Sequence, residues 1–162
     1  MRWITRCLIF LFFLPLTGAA QIATAKENAA VLQSLPADNP KAHYNKSEHY
    51  IRMRDGVQLY VAVYTPKDAS ADNTYPIMLQ RTCYSAQPYG PDAFSERFDR
   101  FAELANEKYI FVFQDVRGRW MSEGTFDNMR PYVPFKKSQD QIDESSDTYD
   151  SIDWLVKNLP HN

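Results

Sequence analysis

YIFVFQDVRGRWMSEGTF, residues 109–126, changes character at its sixth position. Tyr109 to Phe113 is continuously apolar, β-branched or aromatic, yet Asp115, Arg117, Arg119, Ser122 and Glu123 follow within ten residues. An unbroken apolar run of this kind suits a strand covered on both faces, as in a parallel sheet; a strand with one wet face would alternate. At its end the chain must leave the core, and Gly118 and Gly124 punctuate the exit. Loops at the carboxyl ends of parallel strands are where α/β folds keep their sites. On the residues alone, Asp115 and Arg117 read as an ion pair bracing a long loop, since structural charge pairs are common.

The flanking sequence supplies the rest of an α/β pattern. His49 to Met53 and Val57 to Tyr64 are strand-like runs separated by Asp55-Gly56, which predicts a hairpin because glycine accepts a positive φ. Thr65-Pro66 stops the second strand, and Tyr75 to Arg81 reads as a third. Phe94, Phe98, Phe101 and Ala105, at i, i+4, i+7 and i+11, predict an amphipathic helix over about 93–107. A strand at 109–114 follows. Tyr149, Ile152, Val156 and Leu159 then mark the apolar face of a second helix within 140–158, ended by Pro160. Asp143, Glu144 and Asp147 near its start complement the helix dipole. Their spacing lacks the D-x-D-x-D-G order of a calcium loop. The order hairpin, strand, helix, strand, long loop, helix predicts a mostly parallel sheet. The chain stops with the fold half built, so the strand at 109–114 is expected at an open edge.

The 162 residues are 44% hydrophobic and 14% aromatic, enough for one real core. A net charge of −2, with no Lys/Arg cluster beyond Lys136-Lys137, argues against nucleic acid as a partner. Residues 1–25 combine Arg2 and Arg6, an apolar stretch from Cys7 to Leu16, and small residues before Ala20 and Ala25. That is the pattern of a secretory signal peptide, cleaved after Ala20 or Ala25, so an exported protein with no membrane span after cleavage is expected. Cleavage leaves Cys83 alone, and one thiol makes no internal disulfide. Residues 26–47 read as a polar lead-in with little structure of its own, and 48–162 as the domain.

Four segments in order, RDGVQLYVAVYTP (54–66), QRTCYSA (80–86), FQDVRGRWMSEGTF (113–126) and DSIDWLVKN (150–158), resemble one family. It is the α-amino-acid ester hydrolase and cocaine-esterase-like group, which belongs with the X-Pro dipeptidyl-peptidase-like serine hydrolases. The resemblance covers about residues 48–160 and implies the N-terminal portion of an α/β-hydrolase fold. It implies hydrolysis of an ester or amide through an acyl-enzyme, with a small-molecule ester, amide or short peptide as substrate and no cofactor or metal. In the family the nucleophile sits on a G-x-S-x-G elbow shortly after the segment matching DSIDWLVKN. The five glycines here, at 18, 56, 90, 118 and 124, allow no such motif. His43, His49 and His161 do not match the family's catalytic histidine. The 162 residues are therefore expected to be inactive alone, as a fragment or a non-catalytic truncated product.

The resemblance does place one catalytic group in this chain. A family tyrosine that donates its hydroxyl to the oxyanion hole matches Tyr84 in RTCY. Acyl transfer needs such a donor because negative charge builds on the former carbonyl oxygen. Family members often carry proline before this tyrosine; here it is Cys83, which leaves φ free. Asp115, Arg117, Gly118, Ser122, Glu123 and Gly124 match the family's Q-D-x-R-G-x-x-x-S-E-G pattern. They are expected to order a loop near the site, with Arg117 as hub.

Overall fold

The computed structural model describes residues 38–138 and 140–162, so the signal peptide expected at 1–25 lies outside the described residues. Asn39 caps a single turn of helix, α1 (Pro40–His43), by accepting from Ala42 N, and the chain passes straight into β1 (Tyr44–Arg52). Regular structure therefore starts before His49, and the stretch Pro40–Ser47 of the expected lead-in is ordered. Tyr44 explains the early start. Its ring meets Phe98 and Phe111 at centroid distances of 5.0 and 5.9 Å, and its hydroxyl donates to Ala105 O at 3.1 Å.

Asp55-Gly56 reverses the chain between β1 and β2 (Gln58–Pro66), as the sequence predicts. Gly56 adopts φ +93°, and its N–H donates to Met53 O at 2.9 Å. β3 (Ile77–Thr82) and β4 (Ile110–Asp115) complete a four-stranded sheet in the order β1-β2-β4-β3. β4 is antiparallel to β2 and parallel to β3, so the sheet is mixed rather than mostly parallel. The last strand is central, not an edge, and all six of its residues are buried. That position is what its unbroken apolar run reports. Among the described residues the edges are β1 and β3, and the residues of β3 are half-buried.

One sheet face presents Tyr60, Ala62, Tyr64, Phe111 and Phe113. Over it the predicted helix at 93–107 forms in two pieces, a 3-10 turn over Glu96–Phe101 and a short α-helix, α2 (Ala102–Asn106). The predicted side still faces inward: Phe98 and Ala105 are buried, and Phe94 and Phe101 pack against the same cluster. Phe98 lies 5.0, 5.3 and 4.8 Å from the rings of Tyr44, Tyr64 and Phe111. Such a fully buried aromatic contributes roughly 1.5–3 kcal/mol by area alone, and its edge-on contacts add to that.

The opposite face presents Ile51, Leu59, Val61, Val63, Ile110 and Val112, and α3 (Glu144–Asn158) covers it. Here periodicity misleads. Tyr149, Ile152 and Val156 are 65%, 47% and 56% exposed, and only Leu159 of the predicted apolar set is buried. The buried side of α3 is Ser146, Asp147, Ser151 and Leu155. The sheet beneath dictates this choice, because it offers polar groups as well as aliphatic ones. Gln114 donates to Ser151 Oγ at 2.9 Å, and the guanidinium of Arg117 binds Asp147 at 2.7 Å. Turning the helix to bury its apolar stripe would strand both buried polar groups.

The outward stripe gives a prediction about the isolated 162-residue chain. It is expected to bind a hydrophobic dye such as ANS, and Ile152→Lys with Val156→Lys is expected to remove that binding. Both sites are exposed, so stability in urea should stay within about 0.5 kcal/mol per substitution. A large stability loss would mean that the stripe is a core face after all.

Asp143 anchors the start of α3 through a reciprocal capping box: its Oδ1 accepts from Ser146 N at 2.7 Å, and Ser146 Oγ accepts from Asp143 N at 2.8 Å. Its Oδ2 accepts from Val133 N at 2.8 Å and Lys136 Nζ at 2.6 Å, tying the preceding loop to the helix. Burial pushes this carboxyl's pKa up, but the Lys136 ammonium and the backbone donors outweigh it and hold it well below the usual carboxylate range. A depressed folded value stabilises above the ordinary value of 3.8, and that contribution is lost as pH falls through the folded value. Asp143→Asn is therefore expected to flatten the fall in urea midpoint below about pH 4. An unchanged acid limb would show that other carboxyls set it.

Candidate active site

The parallel register places Thr82, the last residue of β3, opposite Asp115, the last residue of β4. The two loops that leave these strands thus start side by side at the carboxyl edge of the sheet, the place where α/β folds build sites. Tyr84 stands two residues beyond β3, with 83% of its surface exposed.

The backbone around Tyr84 is held on both sides of the residue. Its N–H donates to Thr82 Oγ1 at 3.0 Å. Cys83 O accepts from Arg119 Nε at 3.2 Å and from Trp120 Nε1 at 3.0 Å. Ser85 O accepts from the Arg97 guanidinium, and Ser85 Oγ accepts from Gln87 N at 3.0 Å. Ser85 itself is buried at φ +93°, a strained backbone for a residue with a Cβ. An exposed phenol on so constrained a backbone is not accounted for by packing.

Asp115 supplies the central anchor of this turn. Its Oδ1 accepts from Ala86 N at 2.6 Å, and its Oδ2 accepts from Tyr89 Oη at 3.0 Å and Met121 N at 3.3 Å. Burial raises this carboxyl above its usual range, while the N–H groups of Ala86 and Met121 and the Tyr89 hydroxyl pull the other way. One side chain thereby joins the turn after β3 to the loop after β4.

Arg117 does a different job, and it does not pair with Asp115. Its Nε and Nη2 donate to Asp147 at 2.9 and 2.7 Å, and its Nη1 and Nη2 donate to Asp55 at 2.7 and 3.2 Å. The buried guanidinium is forked onto two carboxylates, linking the hairpin turn, the loop after β4 and α3. Burial works against its charge, but Asp147 and Asp55 more than offset that and hold it protonated. The expected ion pair fails because the turn at Val116 carries Arg117 towards α3, whereas Asp115 faces the Tyr84 turn.

The other matched residues fix the course of the loop. Ser122 Oγ donates to Asp115 O at 2.6 Å and accepts from Tyr60 N at 2.9 Å. Glu123 brackets Gln58, accepting from Gln58 N at 2.9 Å through Oε2 and donating its own N–H to Gln58 O at 2.9 Å. Gly118, at φ +68°, comes so close to the returning chain that a Cβ there would lie 2.1 Å from Phe126 N. At Gly124, φ +89°, a Cβ would lie 2.9 Å from Arg117 Cγ. Sequence reasoning passed over Thr82, Tyr89, Arg97, Arg119, Trp120, Asp55 and Asp147. The sequence marks Asp55 only as a turn former and Asp147 only as a helix-dipole acid.

The arrangement presents one hydroxyl donor, rigidly mounted and open to solvent, at the edge where a substrate carbonyl could approach. Residues 55–162 match the family model for X-Pro dipeptidyl-peptidase (S15 family). The cocaine esterase of Rhodococcus sp. (strain MB1 Bresler) is 32% identical over 107 residues, covering 66% of this chain and 16% of that protein. Among solved structures, an α-amino acid ester hydrolase superposes with a TM-score of 0.58 at 40% identity, over 74% of this chain and 20% of that one. An aminopeptidase from a marine sediment archaeon, Thaumarchaeota archaeon, superposes with a TM-score of 0.59 at 36% identity, again over 74% and 20%. The chain thus spans about a fifth or less of the length of the relatives it matches.

Proposed function

The chain belongs to the X-Pro dipeptidyl-peptidase (S15) family of hydrolases, and from that membership we propose that it is the N-terminal part of an exported serine hydrolase acting on ester or amide bonds. Its contribution to the chemistry is the Tyr84 hydroxyl, which donates to the oxyanion formed when a serine adds to the acyl carbon. One observation carries this reading. The backbone on both sides of Tyr84 is anchored at Cys83 O, Tyr84 N, Ser85 O and Ala86 N, and Ser85 is strained, while Tyr84 itself is 83% exposed. Preorganised donors aimed at developing charge are the largest single term in many acyl transfers, because no reorganisation is left to occur during the reaction.

The nucleophile is not among these 162 residues, whose glycines allow no G-x-S-x-G. Candidate substrates are α-amino acyl esters, β-lactam side-chain amides and X-Pro peptides, and groups outside this segment select between them. The N-terminal pattern of Arg2, Arg6 and a short apolar run supports export.

The test is a hydrolase made by joining residues 44–162 to the remainder of the Rhodococcus cocaine esterase, in place of its matching segment. It is expected to hydrolyse 4-nitrophenyl esters and to lose that activity on stoichiometric labelling by a serine-directed phosphonate. A folded hybrid that takes up the phosphonate but turns over no ester would contradict the reading. The label would then show an intact nucleophile with no competent oxyanion site.

A further inference from the structure

We propose that Trp120, with Arg119, is a positioning residue for the Tyr84 hydroxyl, fixing the plane of the Cys83–Tyr84 peptide and so the aim of the side chain beyond it. The inference rests on the reading of Tyr84 as oxyanion donor. Residue 83 is not proline, so nothing in its own covalent structure fixes φ there. The constraint comes from the loop after β4. Cys83 O receives the indole Nε1–H at 3.0 Å and the Arg119 Nε–H at 3.2 Å, while the N–H of the same peptide donates to Thr82 Oγ1 at 3.0 Å. A peptide unit is planar, with its oxygen and hydrogen on opposite sides. Holding both ends stops rotation of that plane.

The indole reaches Cys83 from a left-handed backbone, φ +51°, which a bulky side chain adopts only under constraint. Its surface is 58% exposed, so burial of the ring does not explain the position. The Arg119 guanidinium lies 5.5 Å from the Trp120 ring and 5.0 Å from the Phe126 ring, which keeps its Nε directed at the same carbonyl. Two residues with positive φ, Ser85 and Trp120, therefore flank the exposed phenol of Tyr84. Strain concentrates where geometry serves chemistry.

Losing the indole N–H leaves the Tyr84 hydroxyl present but poorly aimed. That should slow the step in which the oxyanion forms and spare ground-state binding. Trp120→Phe is the variant of choice, because it keeps a ring beside Arg119 and removes only the donor. In the 162-residue chain, the Tyr84 and Ala86 amides are expected to exchange with deuterium about tenfold faster in the variant, with the amides of β2 and β4 unchanged. In the joined hydrolase, kcat is expected to fall about tenfold with KM unmoved. Added to Tyr84→Phe, the same substitution is expected to cost nothing further, since it acts only through that hydroxyl. Unchanged exchange at Tyr84 and Ala86 would overturn the proposal, as would an equal loss of kcat in the Tyr84→Phe background. If Tyr84→Phe alone left kcat intact, the oxyanion reading would fall first and the positioning role with it.

Discussion

Arg117→Met is expected to destabilise the fold by about 3–5 kcal/mol, the usual cost of removing one partner from a buried ion pair. Asp147, in α3, is fully buried and Asp55 is half-buried, and each takes two hydrogen bonds from the one guanidinium. Methionine fills much of the volume but leaves Asp55 without its ion-pair partner and Asp147 with only the Arg81 guanidinium, 3.9 Å away. Arg117→Lys is expected to recover only part of the loss, because a single ammonium cannot fork onto both acids. Urea denaturation of the three proteins measures the effect. The double change Arg117→Met, Asp147→Leu separates lost pairing from lost packing. Replacing both charges by apolar groups is often close to neutral, so most of the stability should return. Failure of the double variant to recover would show that Arg117 matters through shape and its hold on the hairpin turn, not through the buried Asp147 charge.

How far the sequence could be read follows from what each feature depends on. β4 was legible because burial on both faces leaves a local mark, the run Ile110 to Phe113. The hairpin was legible because Asp55-Gly56 carries its own turn chemistry. The matched loop pattern stands out as a unit, and in the structure Ser122 and Glu123 hydrogen-bond the loop after β4 to Tyr60 and Gln58 of β2, while Asp115 ties it to the Tyr84 turn. The division of labour was not legible. Arg117 reaches Asp55 across 62 residues and Asp147 across 30, and Trp120 reaches Cys83 across 37. Nothing local in the sequence marks such partners. α3 shows the limit most clearly. Counting apolar residues selects Tyr149, Ile152 and Val156, but the polar groups Gln114 and Arg117 beneath the helix select Ser151 and Asp147 instead. The edge position of β3 depends likewise on strand order, which only pairing across the sheet determines.

The adjacency of Thr82 and Asp115 turns a family likeness into a geometric account. It puts an acid at the end of one strand within 2.6 Å of the backbone that carries Tyr84 at the end of the next. In this account the rest of the machinery serves one oxygen atom. Tyr84→Phe removes only that atom and keeps the ring. With 83% of the residue exposed, the change should cost almost nothing in stability. As the proposed oxyanion donor, the hydroxyl would act on charge that exists only in the transition state, so the penalty belongs in kcat and not in KM. Loss of one oxyanion-hole donor lowers kcat by about 10²–10³ in a well-studied protease, which sets the scale.

The most direct measurement is therefore kcat and KM for a 4-nitrophenyl ester, in the joined hydrolase and its Tyr84→Phe variant, with urea midpoints measured alongside. A fall in kcat of about 10²–10³, with KM and the midpoint unchanged, is the predicted result. A variant equally stable and within a fewfold of the parent in kcat would contradict it, leaving Tyr84 as an exposed ring on a well-ordered turn.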